Sequence, residues 1–117
     1  MSEDRLAELQ RRVAAFAAAR DWDQFHSPKN LAMALSVEAS ELLEEFQWHT
    51  EEQSRSLDAE RRERVRLEMA DVLIYLLRLA QKLDVDLLRG ATDKLALSEL
   101  KYPADRVRGS PRKYTEY

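Results

Sequence analysis

Two pairs of acidic residues stand inside apolar helical stretches of this chain. Glu38 and Glu41 occur in SVEASELLEEFQW, and Glu68 and Asp71 occur in LEMADVLIYLL. Because the members of each pair are three residues apart, a helix places them on one face, about 60° from each other. A carboxylate is costly to bury unless a positive charge compensates it. Four carboxylates that converge from two helices therefore favour a shared cation, and Mg²⁺, which prefers oxygen ligands, is the best candidate.

A solvated helix surface is the alternative interpretation of each pair. Glu60 and Glu63 have the same spacing, and we expect that pair to be exposed. Asp71 argues for a site instead, because Asp is a poor helix former and this one opens the most apolar stretch of the chain. Two such pairs on consecutive long helices favour a metal site over two solvated faces.

The composition predicts one all-α domain that spans residues 1–117. Of the 117 residues, 44% are hydrophobic and 35% are charged, and there are only two glycines and three prolines, which leaves little room for turn-rich β architecture. The net charge of −3 and the lack of a basic stripe argue against nucleic-acid binding. Without cysteine there is no thiolate metal site. With no signal peptide and no run of about 20 apolar residues, we expect no membrane contact and a cytoplasmic location.

Helix signals predict four long helices. They are expected at about 3–20, from Ser27-Pro28 to about His49, from about Asp58 to Leu83, and from an Asp84 N-cap to Tyr102-Pro103. The run from Thr50 to Gln53 has the form of a capping box, which predicts a short helix or turn. Residues 104–117 are expected to form an extended tail. The second half of the third helix, DVLIYLLRLA, is apolar almost all round and is predicted to be the most buried segment.

Aromatic side chains gather at the helix ends. Trp22, Phe25 and His26 lie in the first connection, Trp48 closes the second helix, and Tyr75 lies one turn beyond the second acidic pair. For any one of the aromatics at the helix ends, capping the core is the better explanation, and for Tyr75 a buried structural role is nearly as good an explanation as lining a cavity. Together, near an acidic metal cluster, they are suited to stacking on a nucleobase and hydrogen bonding to its edge.

Lys82 and Lys94 are candidates for contacts with phosphate, although both also fit an ordinary helix surface. The chain has no glycine-rich phosphate loop, so a bound triphosphate must be held by metal and side chains. Neither histidine stands in the Glu-x-x-His spacing of carboxylate di-iron bundles. This argues against oxygen chemistry.

Three segments resemble a known family. RDWDQFHSPKNLAMALSVEASELLEEFQW, EMADVLIYLLRLAQKLDVDL and KYPADRVRGSPRKYTEY are similar to the all-α nucleotide pyrophosphohydrolases of the MazG-like group, and in particular to their dCTP pyrophosphatase branch. The resemblance covers nearly the whole chain after residue 20. It implies a four-helix MazG-like bundle that assembles as a homotetramer with active sites at subunit interfaces. It also implies Mg²⁺-dependent hydrolysis of a nucleoside triphosphate to monophosphate and pyrophosphate, with Mn²⁺ as a substitute metal.

The resemblance assigns roles by position. The metal ligands would be Glu38, Glu41, Glu68 and Asp71. As a separate hypothesis on mechanism, we expect Glu38 or Glu41 to activate the attacking water. The base pocket would comprise Trp22, Phe25, His26, Trp48 and Tyr75, and the phosphates would face Lys82 and Lys94. One departure concerns Ser98, which stands where the family usually has Asn one turn after the lysine of the fourth helix. A hydroxyl reaches less far and lacks the paired donor and acceptor of an amide.

The resemblance favours dCTP or a modified dCTP as substrate and a role in nucleotide-pool sanitation. Two further interpretations stay open. In the first, the chain is a helical module that binds a nucleotide or a partner without hydrolysis, which Ser98 would favour. In the second, the chain is a structural bundle with solvated acidic patches, and its carboxylates must be indifferent to metal.

Overall fold

The computed structural model describes residues 2–111 and residue 115, and these form helices and connections without a strand. The described residues contain six α-helices and one short 3₁₀ helix. In chain order the elements are α1 (Ser2–Ala19), the 3₁₀ helix (Asp23–Phe25), α2 (Pro28–Glu44), α3 (Glu51–Ser54), α4 (Ala59–Leu83), α5 (Leu87–Lys101) and α6 (Ala104–Val107). The predicted all-α class is confirmed. The structure has more than the four helices expected, because two short helices of four residues each, α3 and α6, add to the four long ones.

The chain divides into two compact units, Met1–Asp84 and Val85–Tyr117. In the first unit, α4 packs most extensively against α2 and to a smaller extent against α1. Leu31 of α2 and Leu77 of α4 are the large side chains that are fully buried. The second unit contains α5 and α6. The single domain over 1–117 stays a prediction.

Local capping signals place three helix starts where they were predicted. The Ser27 hydroxyl accepts from the Asn30 N–H at 3.1 Å, and the Asp58 carboxylate accepts from the Arg61 N–H at 2.8 Å. Thr50 and Gln53 form the predicted capping box at the start of α3. Each cap satisfies a backbone N–H that has no partner within its own helix, so these starts follow from neighbouring residues alone.

The predicted end of α2 near His49 is wrong, since the helix ends at Glu44. The Arg61 Nη1 group donates to the backbone oxygen of Glu45 at 2.8 Å and to its carboxylate at 3.0 Å. An arginine of α4 thus satisfies a carbonyl group that a longer α2 would have bonded internally. The chain continues through turns to Trp48.

The predicted N-cap of the fourth long helix is also wrong. Asp84 adopts the left-handed conformation, φ 54° and ψ 48°, and ends α4 as its C-cap, a conformation that Asp tolerates better than most residues. Asp86 caps α5 instead, accepting from the Arg89 N–H at 3.0 Å. The predicted tail begins with α6, and its residues 112–114, 116 and 117 lie outside the described residues.

The burial predicted for the second half of α4 is confirmed on one side of the helix. Leu77, Arg78 and Ala80 are buried there, whereas Leu73 and Ile74 are more than one third exposed. Because these two side chains are partly exposed, α4 carries an apolar surface that the rest of the first unit does not cover completely.

None of the helices described is long and apolar enough to cross a bilayer.

Gly90 offers a test of the packing of α5. A Cβ atom at Gly90 meets no atom within 4 Å outside its own helix backbone, and Ala is the better helix former. Gly90→Ala should therefore raise the free energy of unfolding by about 1 kcal/mol, measured as a higher urea midpoint at an unchanged m value. Gly109→Ala is the contrasting control, because its φ of 74° strains any side chain and its midpoint should fall. A lower midpoint for Gly90→Ala would contradict open surroundings at this position.

Candidate metal and nucleotide site

Three of the predicted acidic residues meet where α2 packs against α4. Glu38 and Glu41 lie one turn apart on α2, and Glu68 lies on α4. Each offers one carboxylate oxygen, and the three oxygen atoms lie within 4.8 Å of one another. The helical spacing on α2 and its packing on α4 bring together these three residues, which we call the acidic cluster.

The acidic cluster is electrostatically unfavourable without a cation. Burial is the largest cause that raises the pKa of Glu38 to about 7, and a hydrogen bond to Glu41 and the negative charges of Glu41, Asp71 and Glu68 act in the same direction. The pKa of Glu68 is also raised, first by burial and then by the charges of Glu41 and Asp71. Both shifts show that ionising these groups together is costly, because desolvation and like charge each disfavour the carboxylate form.

The oxygen atoms of the acidic cluster fit a hard divalent cation. Glu38 Oε2 and Glu68 Oε2 are buried, and neither has a hydrogen-bond partner among the described residues. A buried carboxylate oxygen without a partner is costly, and a cation would compensate both atoms. A donor set made only of carboxylate oxygens suits Mg²⁺ or Mn²⁺ better than a softer metal. These residues would therefore hold the metal that the sequence predicts.

Asp71, the fourth predicted ligand, lies one turn after Glu68 on α4. Its charge raises the pKa of Glu38 and of Glu68, although it is not one of the three residues whose oxygen atoms share the 4.8 Å limit. Asp71 also lines a neighbouring cavity. Asp71 therefore acts on the acidic cluster through its negative charge and forms part of the cavity wall.

Other acidic residues near the cluster are paired with arginines. Glu45, at the end of α2, accepts from Arg61 at 3.0 Å and from Arg64 at 3.3 Å. The exposed Glu60 pairs with Arg64 at 3.1 Å. The exposed Glu63 pairs with Arg66 at 2.7 Å. The predicted exposure of Glu60 and Glu63 is confirmed. The arginines compensate these carboxylates, which leaves the acidic cluster without a positive partner among the described residues.

A cavity of about 440 Å³ lies against α4 between the first helix and its following connection. Its volume is in the range of about 300–1,000 Å³ that is typical of small-ligand sites. Its lining includes the rings of Phe16, Trp22, His26 and Tyr75 and the charged side chains of Arg12, Asp71 and Arg78. The rings of Phe16 and Trp22 meet edge to face, with centroids 5.6 Å apart. Three predicted pocket residues, Trp22, His26 and Tyr75, thus share one cavity with a predicted metal ligand.

The remaining predicted residues lie elsewhere in the structure. Phe25 is 59% exposed and Trp48 is 86% exposed, and neither lines this cavity. Lys94 is an exposed residue of α5, in the unit Val85–Tyr117. Lys82 donates from its ammonium group to the Asp23 carboxylate. The structure therefore does not gather the complete predicted pocket within the first unit of one chain.

Sequence reasoning missed one buried arginine at the cavity. Arg78 is 7% exposed, and its guanidinium group contacts Asp23 at 2.5 Å and His26 at 3.0 Å. Lys82 and Arg78 together lower the pKa of Asp23, with the Lys82 hydrogen bond as the largest cause. The sequence contains an indication of this network, because Arg78 is the single charged residue in the apolar run VLIYLLRLA. A charge buried in such a helix requires polar partners.

Comparisons with known proteins identify the family of this chain. The profile of the MazG-like family matches residues 33–117. The chain is 46% identical to dCTP pyrophosphatase 1 of Homo sapiens over 116 residues, which is 97% of this chain and 68% of the human protein. The chain belongs to the MazG-like family.

Further relatives support the MazG-like assignment. Identity to dCTP pyrophosphatase 1 of Bos taurus is 44% over 117 residues, covering 98% of this chain and 69% of the bovine protein. The crystal structure of a pyrophosphatase from Archaeoglobus fulgidus is similar with a TM-score of 0.80. Its identity is 37%, over 85% of this chain and 93% of that one. The predicted resemblance to the nucleotide pyrophosphohydrolases is confirmed, and with it the enzyme class, a nucleoside triphosphate pyrophosphatase.

The pKa of Glu38 in this MazG-like chain predicts how stability depends on pH without metal. The folded pKa of about 7 lies above the ordinary 4.5, so the folded chain retains a proton that the unfolded chain releases. The free energy of unfolding should therefore fall as the pH rises from about 4.5 to about 7. Urea midpoints measured in a chelator should show this decrease, and Glu38→Gln should reduce it.

Glu63→Gln is the matched control for this measurement. In the wild-type protein Arg66 lowers the pKa of the Glu63 carboxyl group. The contribution of Glu63 to the free energy of unfolding is therefore lost only as the pH falls below the ordinary pKa of 4.5. Glu63→Gln should leave the decrease between about pH 4.5 and 7 unchanged. An equal decrease in wild type and Glu38→Gln would show that Glu38 is not the group that retains the proton.

Proposed function

We propose that this protein hydrolyses a cytosine deoxynucleoside triphosphate, dCTP or a modified dCTP, to the monophosphate and pyrophosphate in a Mg²⁺-dependent reaction. The observation that carries the proposal is an acidic cluster in which two buried oxygen atoms have no hydrogen-bond partner in the described part of the chain, beside an aromatic cavity of about 440 Å³. The chain's relatives named dCTP pyrophosphatase 1 support cytosine as the base. Such an activity serves nucleotide-pool sanitation.

Glu38, Glu41, Glu68 and Asp71 are the proposed metal ligands. These carboxylates would hold Mg²⁺, or Mn²⁺ in its place, whose positive charge would offset the negative charge of the triphosphate oxygen atoms. Glu38 or Glu41 accepts the proton of the attacking water as general base. Both lie on α2, one turn apart.

The cavity beside the cluster is the proposed base pocket. Trp22 and Tyr75 offer aromatic faces to a nucleobase, and His26 offers a ring nitrogen to its edge. Because Asp71 lines the same cavity, a base held there leaves its phosphates close to the proposed ligands. Lys82 and Lys94 are the residues that the resemblance assigns to the phosphates. For Lys82 this role requires that its ammonium group leave Asp23.

Assembly into a homotetramer is part of the proposal. On α2 and α4 the side chains of Met33, Val37, Leu43, Leu67 and Met69 are all more than half exposed. A large exposed apolar surface of this kind marks an interaction site. Phe25 and Trp48, which are also exposed in one chain, would reach a base pocket across such an interface. A site completed by a second subunit accounts for their distance from the cavity.

Product analysis tests the proposed reaction. The protein is incubated with each canonical dNTP and with 5-methyl-dCTP, with and without Mg²⁺, and the products are resolved by ion exchange. We expect monophosphate and pyrophosphate, only with Mg²⁺, and most rapidly from the cytosine nucleotides. Diphosphate and orthophosphate, or no product, would refute the proposed reaction, and nucleotide binding without turnover would establish a binding module instead.

Glu68→Gln tests the proposed ligand set. The loss of one carboxylate should lower kcat by about a hundredfold or more, as expected when charge stabilisation of the transition state is lost, while the helical circular dichroism spectrum is retained. Glu60→Gln is the matched control, because Glu60 is an exposed residue of the same helix that pairs only with Arg64 in the described structure. A folded and fully active Glu68→Gln enzyme would exclude Glu68 from the metal site.

Metal binding should also be visible as stability. A cation that binds only the folded chain adds about 2.7 kcal/mol at a hundredfold excess over its Kd, so Mg²⁺ should raise the melting temperature of the wild-type protein. Glu41→Gln should reduce this rise, and Glu63→Gln should retain it. A melting temperature that does not move in saturating Mg²⁺ would show that the acidic residues do not share an ion.

A further inference from the structure

Arg78 has no part in the proposed hydrolysis, yet it is the most heavily bonded side chain at the cavity. It is buried on α4. Its Nε group donates to His26 Nδ1 at 3.0 Å, Nη2 donates to Asp23 at 2.5 Å, and Nη1 donates to Gln81 at 3.2 Å. Each edge of the planar guanidinium group therefore has a partner, which fixes its orientation.

The partners of Arg78 are themselves held in place. The Asp23 carboxylate also accepts from Lys82. The Gln81 amide donates to the backbone oxygen of Gln10 on α1 at 2.6 Å. The network thus ties α1, α4 and the 3₁₀ segment together around one buried arginine. The orientation of the arginine is set by the fold before any ligand arrives.

The bond between Arg78 and His26 determines where the imidazole carries its proton. Arginine is always a donor and never an acceptor, so His26 Nδ1 must present a lone pair to Nε. A neutral imidazole has one donor and one acceptor nitrogen. If Nδ1 accepts, the proton is on Nε2. The other tautomer would place two N–H groups against each other at 3.0 Å.

His26 is also kept neutral by its surroundings. Its pKa lies below the ordinary value because of burial, and the positive charges of Arg78 and Lys82 lower it further, while Asp23 acts in the opposite direction. The imidazolium form, with a proton on each nitrogen, would oppose the Arg78 donor directly.

We infer that Arg78 is a positioning residue for base recognition, which fixes His26 in the Nε2–H tautomer and so makes it a hydrogen-bond donor toward an acceptor atom of the base in the cavity. The inference rests on the proposed function for the identity of the ligand. Cytosine presents such acceptors at O2 and N3. A base edge that offers only donors to Nε2–H would be refused, because two donors would face each other.

The tautomer of His26 tests the inference without any substrate. The chain has two histidines, so ¹⁵N-detected NMR of labelled protein gives two imidazole spin systems, and a His49→Gln sample assigns them. We expect His26 to show a protonated Nε2 and an unprotonated Nδ1 as a single tautomer. A proton on Nδ1, or a mixture of tautomers in the wild-type protein, would overturn the inference, whatever the variants do.

Substitutions of Arg78 test its control over recognition. Arg78→Met removes the donor, and Arg78→Lys retains the charge but lacks Nε and the planar group. Either change should release His26 into a mixture of tautomers and raise the KM for dCTP about tenfold, the effect of one hydrogen bond, with kcat within about twofold. Gln81→Leu is the matched control, because it removes another partner of Arg78 but not the bond to His26, and it should leave the tautomer unchanged.

A double-mutant cycle separates positioning from general stability. In a His26→Phe background the Arg78→Lys change should raise KM no further, since the imidazole that it positions is gone. Independent, additive effects of the two changes would overturn the inference. If the wild-type protein does not hydrolyse dCTP, the proposed function fails, whereas the NMR result still decides whether Arg78 sets the tautomer of His26.

Discussion

Repulsion among carboxylates where α2 packs against α4 is the constraint on which the structure depends. This contact brings one carboxylate oxygen each of Glu38, Glu41 and Glu68 within 4.8 Å of one another. The hydrophobic packing of the helices therefore imposes an electrostatic cost that side chains alone do not relieve. A protein can retain such an arrangement when a ligand relieves the cost, so the proposed metal site would couple function to stability at this contact.

A second polar network beside the cluster works in the opposite way. Arg78 is buried, but its donors meet Asp23, His26 and Gln81, so its charge is compensated within the chain. The acidic cluster has no positive partner among the described residues, whereas the donors of Arg78 all have partners within the chain. The arginine network links the connection after α1 to α4 at the wall of the cavity. The proposed metal site would therefore lie next to this cavity.

Local signals in the sequence predicted the helices well, because caps and apolar periodicity involve neighbouring residues. Asp58 and the capping box at Thr50 are examples. The acidic cluster was also predictable, since carboxylate pairs inside apolar helices are costly to bury unless a cation compensates them. The early end of α2 was not, because it depends on Arg61, 16 residues away. The bond between Arg78 and His26 joins residues 52 apart, so only the packing of α4 against the first connection reveals it.

Diffraction from crystals grown with Mn²⁺ is the most direct test of the shared cation site, because Mn²⁺ occupies oxygen sites suited to Mg²⁺ and is located by its anomalous scattering. We expect an anomalous peak between α2 and α4, with oxygen atoms of Glu38, Glu41 and Glu68 as ligands. A metal that binds elsewhere, with these three carboxylates protonated or paired to basic side chains, would contradict a shared cation site at this contact.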